Sequence, residues 1–161
     1  MKIYPFYILV ILILSCHSAT DHTKRISKIP PFKMLSIDSN TCVNMQDIPA
    51  GHPIIFMYFS PDCEHCQWET QNIVKHLDEL GNTHIYLITN DTSEDLKKFY
   101  LYYHLDTVKN IFVGSDYEYT FYKYYLPPAT PFFAIYNGKK DLVKIYQGET
   151  DINSIINTVS E

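Results

Sequence analysis

Ile54-Ile55-Phe56-Met57-Tyr58-Phe59-Ser60-Pro61-Asp62-Cys63-Glu64-His65-Cys66 is the stretch on which the fold turns. Its first six residues are an unbroken apolar run, the pattern of a central strand covered on both faces. Ser60-Pro61-Asp62 ends that strand. A helical pattern starts at about Cys63: Trp68, Ile73, Val74, Leu77 and Leu80 recur at spacings of three to five, and Gly81 supplies the stop. Two cysteines therefore stand where a buried strand feeds a helix. There the first sulfur meets unpaired backbone N–H groups and the positive end of the helix dipole, which favour a thiolate. A thiolate is the form that attacks disulfides. The second sulfur, one turn on, is placed to close an intramolecular disulfide and expel a bound substrate.

The two residues between the cysteines pull in opposite directions. The His65 imidazole can donate to the Cys63 sulfur, lower its pKa and make the pair more oxidising. Glu64 and Asp62 oppose this by like-charge repulsion. Plainer uses of such a pair exist. Structural zinc wants four ligands, usually from two pairs, and this chain has one. Copper would need both sulfurs and a distant histidine. A purely structural disulfide would close a tiny loop and stabilise little. The expectation is a redox pair with no metal and no cofactor.

Outward from this centre, punctuation and periodicity mark the other elements. Phe32 to Ile37 alternates loosely ahead of Asp38-Ser39-Asn40, an accessory strand leading into a hairpin. His84 to Thr89 is a second central strand, and Thr92-Ser93-Glu94-Asp95 starts a helix that runs to about Tyr103. Lys109 to Val113 reads as a short strand and Tyr117 to Leu126 as a helix. Phe132–Tyr136, Asn137-Gly138 and Leu142–Tyr146 form a hairpin signal, and Asp151 caps a last helix carrying Ile152, Ile155, Ile156 and Val159. This mixed order implies a layered α/β sheet with helices on both faces.

The N-terminus reads Lys2, an apolar run of 12 positions from Ile3 to Leu14, then Ser15-Cys16. That is a secretory signal, too short for a transmembrane helix of about 20 residues. Ile13-Leu14-Ser15-Cys16 resembles a bacterial lipobox, which implies cleavage before Cys16 and lipidation of it; an ordinary signal with an incidental Cys16 is the alternative. The expected organisation is a signal peptide over 1–15, a flexible tether over 16–30 and one domain over 31–161. Within 161 residues, 13 basic and 18 acidic side chains leave a net charge of −5, the wrong sign for nucleic acid. Hydrophobic residues at 46% exclude a disordered chain, and four cysteines are too few for a disulfide-stapled scaffold.

The segment Phe59 to Cys66 after a buried strand, with Ala129-Thr130-Pro131-Phe132 about 65 residues later ahead of the terminal hairpin, resembles the thioredoxin superfamily. Within it the chain is most similar to exported, membrane-tethered TlpA/ResA-like thiol–disulfide oxidoreductases, from Phe32 to Glu161. The resemblance implies a thioredoxin-like three-layer sandwich with a mixed central sheet and an N-terminal accessory strand or hairpin. It implies that Cys63 attacks, Cys66 resolves, Pro131 is cis and the Thr130 backbone pairs with substrate, while His65 and Glu64 tune the pair. The implied partners are protein disulfide substrates and a membrane thiol-transfer electron donor. The implied location is a periplasmic face, held by the lipid anchor at Cys16, with the reducing direction favoured over the oxidising one. A non-enzymatic peptide- or metal-binding module on the same scaffold is the rival.

This sequence departs from the family at Met57, where many members carry a buried Asp. Either proton exchange at Cys66 falls to Glu64, His65 or water, or its deprotonation is slower. Cys42 is expected to be a buried free thiol, with a regulatory or third redox role as the sharper alternative. Tyr117, Tyr119, Tyr122, Tyr124 and Tyr125 are expected to be half core and half surface, with an aromatic wall for a peptide as the alternative. His52, His76, His84 and His104 show no paired spacing that demands a metal.

Overall fold

The computed structural model describes residues 27–38 and 41–161. The expected signal peptide, the expected lipidation site Cys16 and most of the expected tether lie outside the described residues. Among the described residues there are seven strands: β1 (Lys33–Ser36), β2 (Cys42–Asn44), β3 (Ile54–Tyr58), β4 (His84–Thr89), β5 (Ile111–Ser115), β6 (Phe132–Tyr136) and β7 (Leu142–Gln147). The helices are α1 (Glu64–Lys75), α2 (Leu77–Leu80), α3 (Ser93–Tyr102), α4 (Thr120–Tyr125) and α5 (Ile152–Val159), with a 3₁₀ turn at Leu105–Thr107. The strands form one sheet in the order β2-β1-β5-β4-β3-β6-β7. Its centre, β5-β4-β3, is parallel, and both flanks are antiparallel. This is the three-layer α/β sandwich with an accessory N-terminal hairpin that the sequence leads one to expect.

The apolar strands split by their two-residue period. Ile55, Met57, Ile85, Leu87, Phe133 and Ile135 face one core with Cys66, Ile73, Leu96, Phe99 and Ile155 of α1, α3 and α5. Ile54, Phe56, Tyr86, Ile88, Phe132 and Tyr136 face the other, closed by Phe121 of α4 and by the segment from Ile29 to Ile48. Ile29 and Pro30 are already buried, so packed structure begins ahead of residue 31. The hairpin docks through Gly114, where a Cβ would lie 2.4 Å from the Leu35 carbonyl oxygen; only glycine lets β1 approach β5 so closely.

Three local expectations are corrected. The helix read from Cys63 to Gly81 breaks after Lys75. His76 leaves helical geometry (φ −112°, ψ 26°), and its ring Nδ1 donates to the Asn72 carbonyl at 2.8 Å, an acceptor that also takes the His76 amide. Trp68, counted in the apolar stripe, is exposed; the buried stripe of α1 is Cys66, Glu69, Thr70 and Ile73. Cys42, expected to be buried, is exposed, because β2 is a three-residue edge strand with a neighbour on one side only. Its sulfur lies 3.8 Å from the Tyr117 hydroxyl.

Candidate active site

The chain leaves β3 at Tyr58 and crosses to α1 through a tied loop. The Cys63 amide donates to the Ser60 carbonyl at 3.1 Å, and the Gln67 side chain donates to the Pro61 carbonyl at 2.8 Å. These bonds fix Cys63 as the N-cap of α1, in extended backbone with its side chain making no cap bond. Its sulfur is thus left to face the loop ahead of β6. The Cys63 thiol donates to the Thr130 carbonyl at 3.7 Å, and the Thr130–Pro131 peptide is cis. The Pro131 carbonyl in turn accepts from the Gly148 amide at 2.8 Å, which ties this loop to the end of β7. The structure therefore joins Cys63, Cys66, Thr130 and Pro131 at one end of the sheet, although the two pairs lie far apart in the chain.

The two thiols differ sharply. Burial would push the Cys63 thiol up, but hydrogen bonding with Cys66 and Thr130 and from the backbone amides of Cys66 and His65 outweighs it. The net result holds Cys63 below the ordinary thiol range. Cys66 is fully enclosed, and burial, with the neighbouring Cys63, pushes its thiol up to about 12. Both are free thiols here, so the structure represents the dithiol form. A nucleophile at the surface and a proton-holding partner behind it is the arrangement that an ordered two-step exchange requires.

Glu64 and His65 both lie on the surface. The His65 ring bonds through Nδ1 to the Glu149 carboxylate, and the same contact raises its pKa. So the ring is held by a residue that sequence reasoning did not single out. A second such residue is Glu69, one turn beyond Cys66 and fully buried. The Thr150 amide donates to its Oε1 at 2.5 Å, while Oε2 has no partner. Burial pushes this carboxyl up to about 7, and the Glu149 and Asp151 charges push the same way. Met57 leaves β3 without a buried carboxylate, while Glu69 supplies one from α1. Its signal in the sequence is an acidic residue in the buried stripe with Cys66 and Ile73.

On the opposite face, Asp116 is buried and accepts the Thr120 and Tyr122 amides at 2.9 and 3.1 Å, anchoring the start of α4. Tyr117, Tyr119 and Tyr122 are exposed, while Tyr124 and Tyr125 are partly buried, which matches the half-core, half-surface expectation. His52 stacks on His84, His76 serves α1, and His104 is exposed. Among the described residues no three His, Cys, Asp or Glu side chains are grouped to hold a metal, and no helix is long and apolar enough to cross a membrane.

No protein-family model matches the chain, and no curated protein matches it by sequence. Solved structures do. It is similar to a secreted Mycobacterium tuberculosis disulfide oxidoreductase homologous to E. coli DsbE, with TM-score 0.68 and 15% identity over 85% of this chain and 97% of that one. It is also similar to a thioredoxin-like protein from Aeropyrum pernix (TM-score 0.63, 14% identity, 89% and 96% covered). A third likeness is to peroxidoxin BcpB from Mycobacterium tuberculosis (TM-score 0.70, 11% identity, 83% and 94% covered). The chain has a thioredoxin-like fold.

Proposed function

We propose that this protein is a thiol–disulfide oxidoreductase acting on protein disulfides outside the cytoplasm, in the reducing direction. The observation that carries the reading is the Cys63 sulfur at the mouth of α1, facing the Thr130 carbonyl, with Cys66 buried behind it. The Cys63 thiolate attacks one sulfur of a substrate disulfide. A mixed disulfide forms, and the displaced substrate thiolate takes up a proton. Cys66 then loses its proton and attacks the Cys63 sulfur, which closes the Cys63–Cys66 disulfide and releases the second substrate thiol. Two electrons pass from the dithiol to the substrate.

Glu69, buried one turn beyond Cys66 on α1, is suited to accept the Cys66 proton, because burial sets its affinity near neutrality. His65 stabilises the Cys63 thiolate, and Glu64 lies at the solvent mouth. Thr130 and Pro131 present backbone to the substrate chain. A dithiol of a membrane thiol-transfer protein returns the electrons by the reverse exchange. The apolar run ahead of Cys16 supports export, and the lipobox-like Ile13–Cys16 supports a lipid anchor. The named secreted disulfide oxidoreductase among similar structures favours the same location.

Insulin reduction with dithiothreitol tests the reading. Wild type accelerates precipitation of the insulin chains and Cys63→Ser does not. Equal rates would leave a binding module instead. Equilibration with glutathione buffers tests direction: a potential well above about −180 mV, the isomerase-like value, would turn the assignment to an oxidant.

A further inference from the structure

The loop between β7 and α5 reaches the site twice. Glu149 bonds the exposed ring of His65, and the next residue, Thr150, gives its backbone amide to buried Glu69. The two contacts span 84 and 81 positions of sequence, so they belong to the tertiary fold and not to local chain geometry. Gly148, at φ 77°, takes the left-handed turn that aims these neighbours at α1, and its amide also holds the Pro131 carbonyl. One short loop thus touches the histidine between the two cysteines, the carboxyl one turn beyond Cys66 on α1 and the Thr130–Pro131 loop.

We propose that Glu149 is a positioning residue, which holds the charged His65 ring at the mouth of α1 and through it sets how readily Cys63 ionises. The charges that act on His65 are Glu149 from this loop and Cys63 and Glu64 from the start of α1. Glu149 is the one of these that also makes a hydrogen bond to the ring, and it comes from a different element. Without Glu149 the exposed His65 ring is free to take other rotamers. Held by Glu149, the ring keeps one orientation and its protonated form is favoured, and that charge acts on Cys63 to favour the thiolate. The inference deepens the redox reading and rests on it for its biological sense.

The sign of the effect makes the test sharp. Removing a carboxylate near a thiol would, through space alone, lower the thiol pKa. Acting through His65, the same removal raises it. Thiolate absorbance at 240 nm, followed against pH on the full chain, reads Cys63. Glu149→Gln is expected to raise the Cys63 midpoint by about half a unit and to slow attack on a small aromatic disulfide at pH 6 about threefold. In a His65→Gln background the same change is expected to do neither. No shift, a downward shift or an equal rise in both backgrounds would overturn the proposal. Glutamine keeps the side-chain shape at an exposed position, and a thermal melt of each variant checks that folding is intact. Neither readout uses a protein substrate, so failure of the insulin assay would remove the enzymatic reading and leave this result standing.

Discussion

The two faces of the sheet are filled with different chemistry. The face under α1, α3 and α5 is largely aliphatic and holds Cys66 and Glu69, two buried titratable groups. The face under α4 is a nest of rings: Phe121 packs on Phe32, Phe56, Tyr58, Tyr125 and Phe132 at centroid distances of 4.5 to 6.3 Å. The faces meet where Pro131 leads into Phe132, one residue from the carbonyl that faces Cys63. The reactive face carries groups that cost stability to bury, and the aromatic face carries rigid apolar bulk that offsets them. A six-residue helix can serve as the lid of this face, beside the N-terminal segment, because its one buried ring touches so many others.

The sharpest contrast lies within the reactive face. At pH 7 iodoacetamide should modify Cys63 about 10³-fold faster than Cys66, since Cys66 is enclosed and its thiol stays protonated. Peptide mapping after short labelling checks this. Comparable rates would mean that the face opens easily and that Cys66 is not held in reserve.

The aromatic face is broken most directly at Phe121. Phe121→Ala should cost about 4 kcal/mol of unfolding free energy, the usual range for a fully enclosed ring. Urea denaturation reads it. The Cys63 sulfur should keep its labelling rate wherever the variant remains folded. Loss of that rate in the folded variant would show that the rings hold the Thr130–Pro131 loop in place as well as stabilising the domain.

Glu69 tests whether the reactive face gives up stability for its buried carboxyl. Its pKa rises from 4.5 to about 7 on folding. The folded state therefore binds the proton more tightly, so this group's contribution is most favourable below pH 4.5 and is lost as pH rises toward 7. By pH 8 the buried charge should cost on the order of 3 kcal/mol. Glu69→Gln should then be nearly neutral at pH 4.5 and stabilising at pH 8, which denaturation at the two pH values would show. A difference independent of pH would mean that the carboxyl is neutral or solvated throughout.

The contrast between faces was only partly legible in the sequence. Ile54 to Phe59 and His84 to Thr89 announced the central strands, because strands covered on both sides leave no polar alternation to misread. The cysteine pair is legible because its spacing at a strand–helix junction carries chemistry, and Pro131 is legible through the resemblance to the thioredoxin superfamily. Glu69 is not legible from apolar periodicity, which selects Trp68 instead although its side chain is exposed. A buried stripe is set by angle around the helix, and a polar residue on that angle is the informative one. Glu149 left no local signal, since its meeting with His65 depends on where β7 ends. Cys42 misled because cysteine is commonly buried, whereas an edge strand of three residues has too few neighbours to enclose it.

The smallest expected effect separates stability from reactivity on the same face. Thr92 caps α3: its hydroxyl oxygen accepts the Asp95 amide at 3.2 Å, and its hydroxyl donates to the Asp95 carboxylate at 2.6 Å. Thr92→Ala removes both bonds at an exposed position and should lower stability by about 1 kcal/mol, read by urea denaturation. α3 also presses on the thiol loop, because Phe99 packs against Phe59 at 4.8 Å and Phe59 is followed by Ser60 to Cys63. If the cap matters only to the helix end, the Cys63 labelling rate stays within about twofold of wild type, because the Phe59–Phe99 contact lies nearly two turns from the cap. A larger fall would mean that fraying at Thr92 reaches the loop. The reactive face would then be a single cooperative unit, whose thiol geometry depends on the whole of α3.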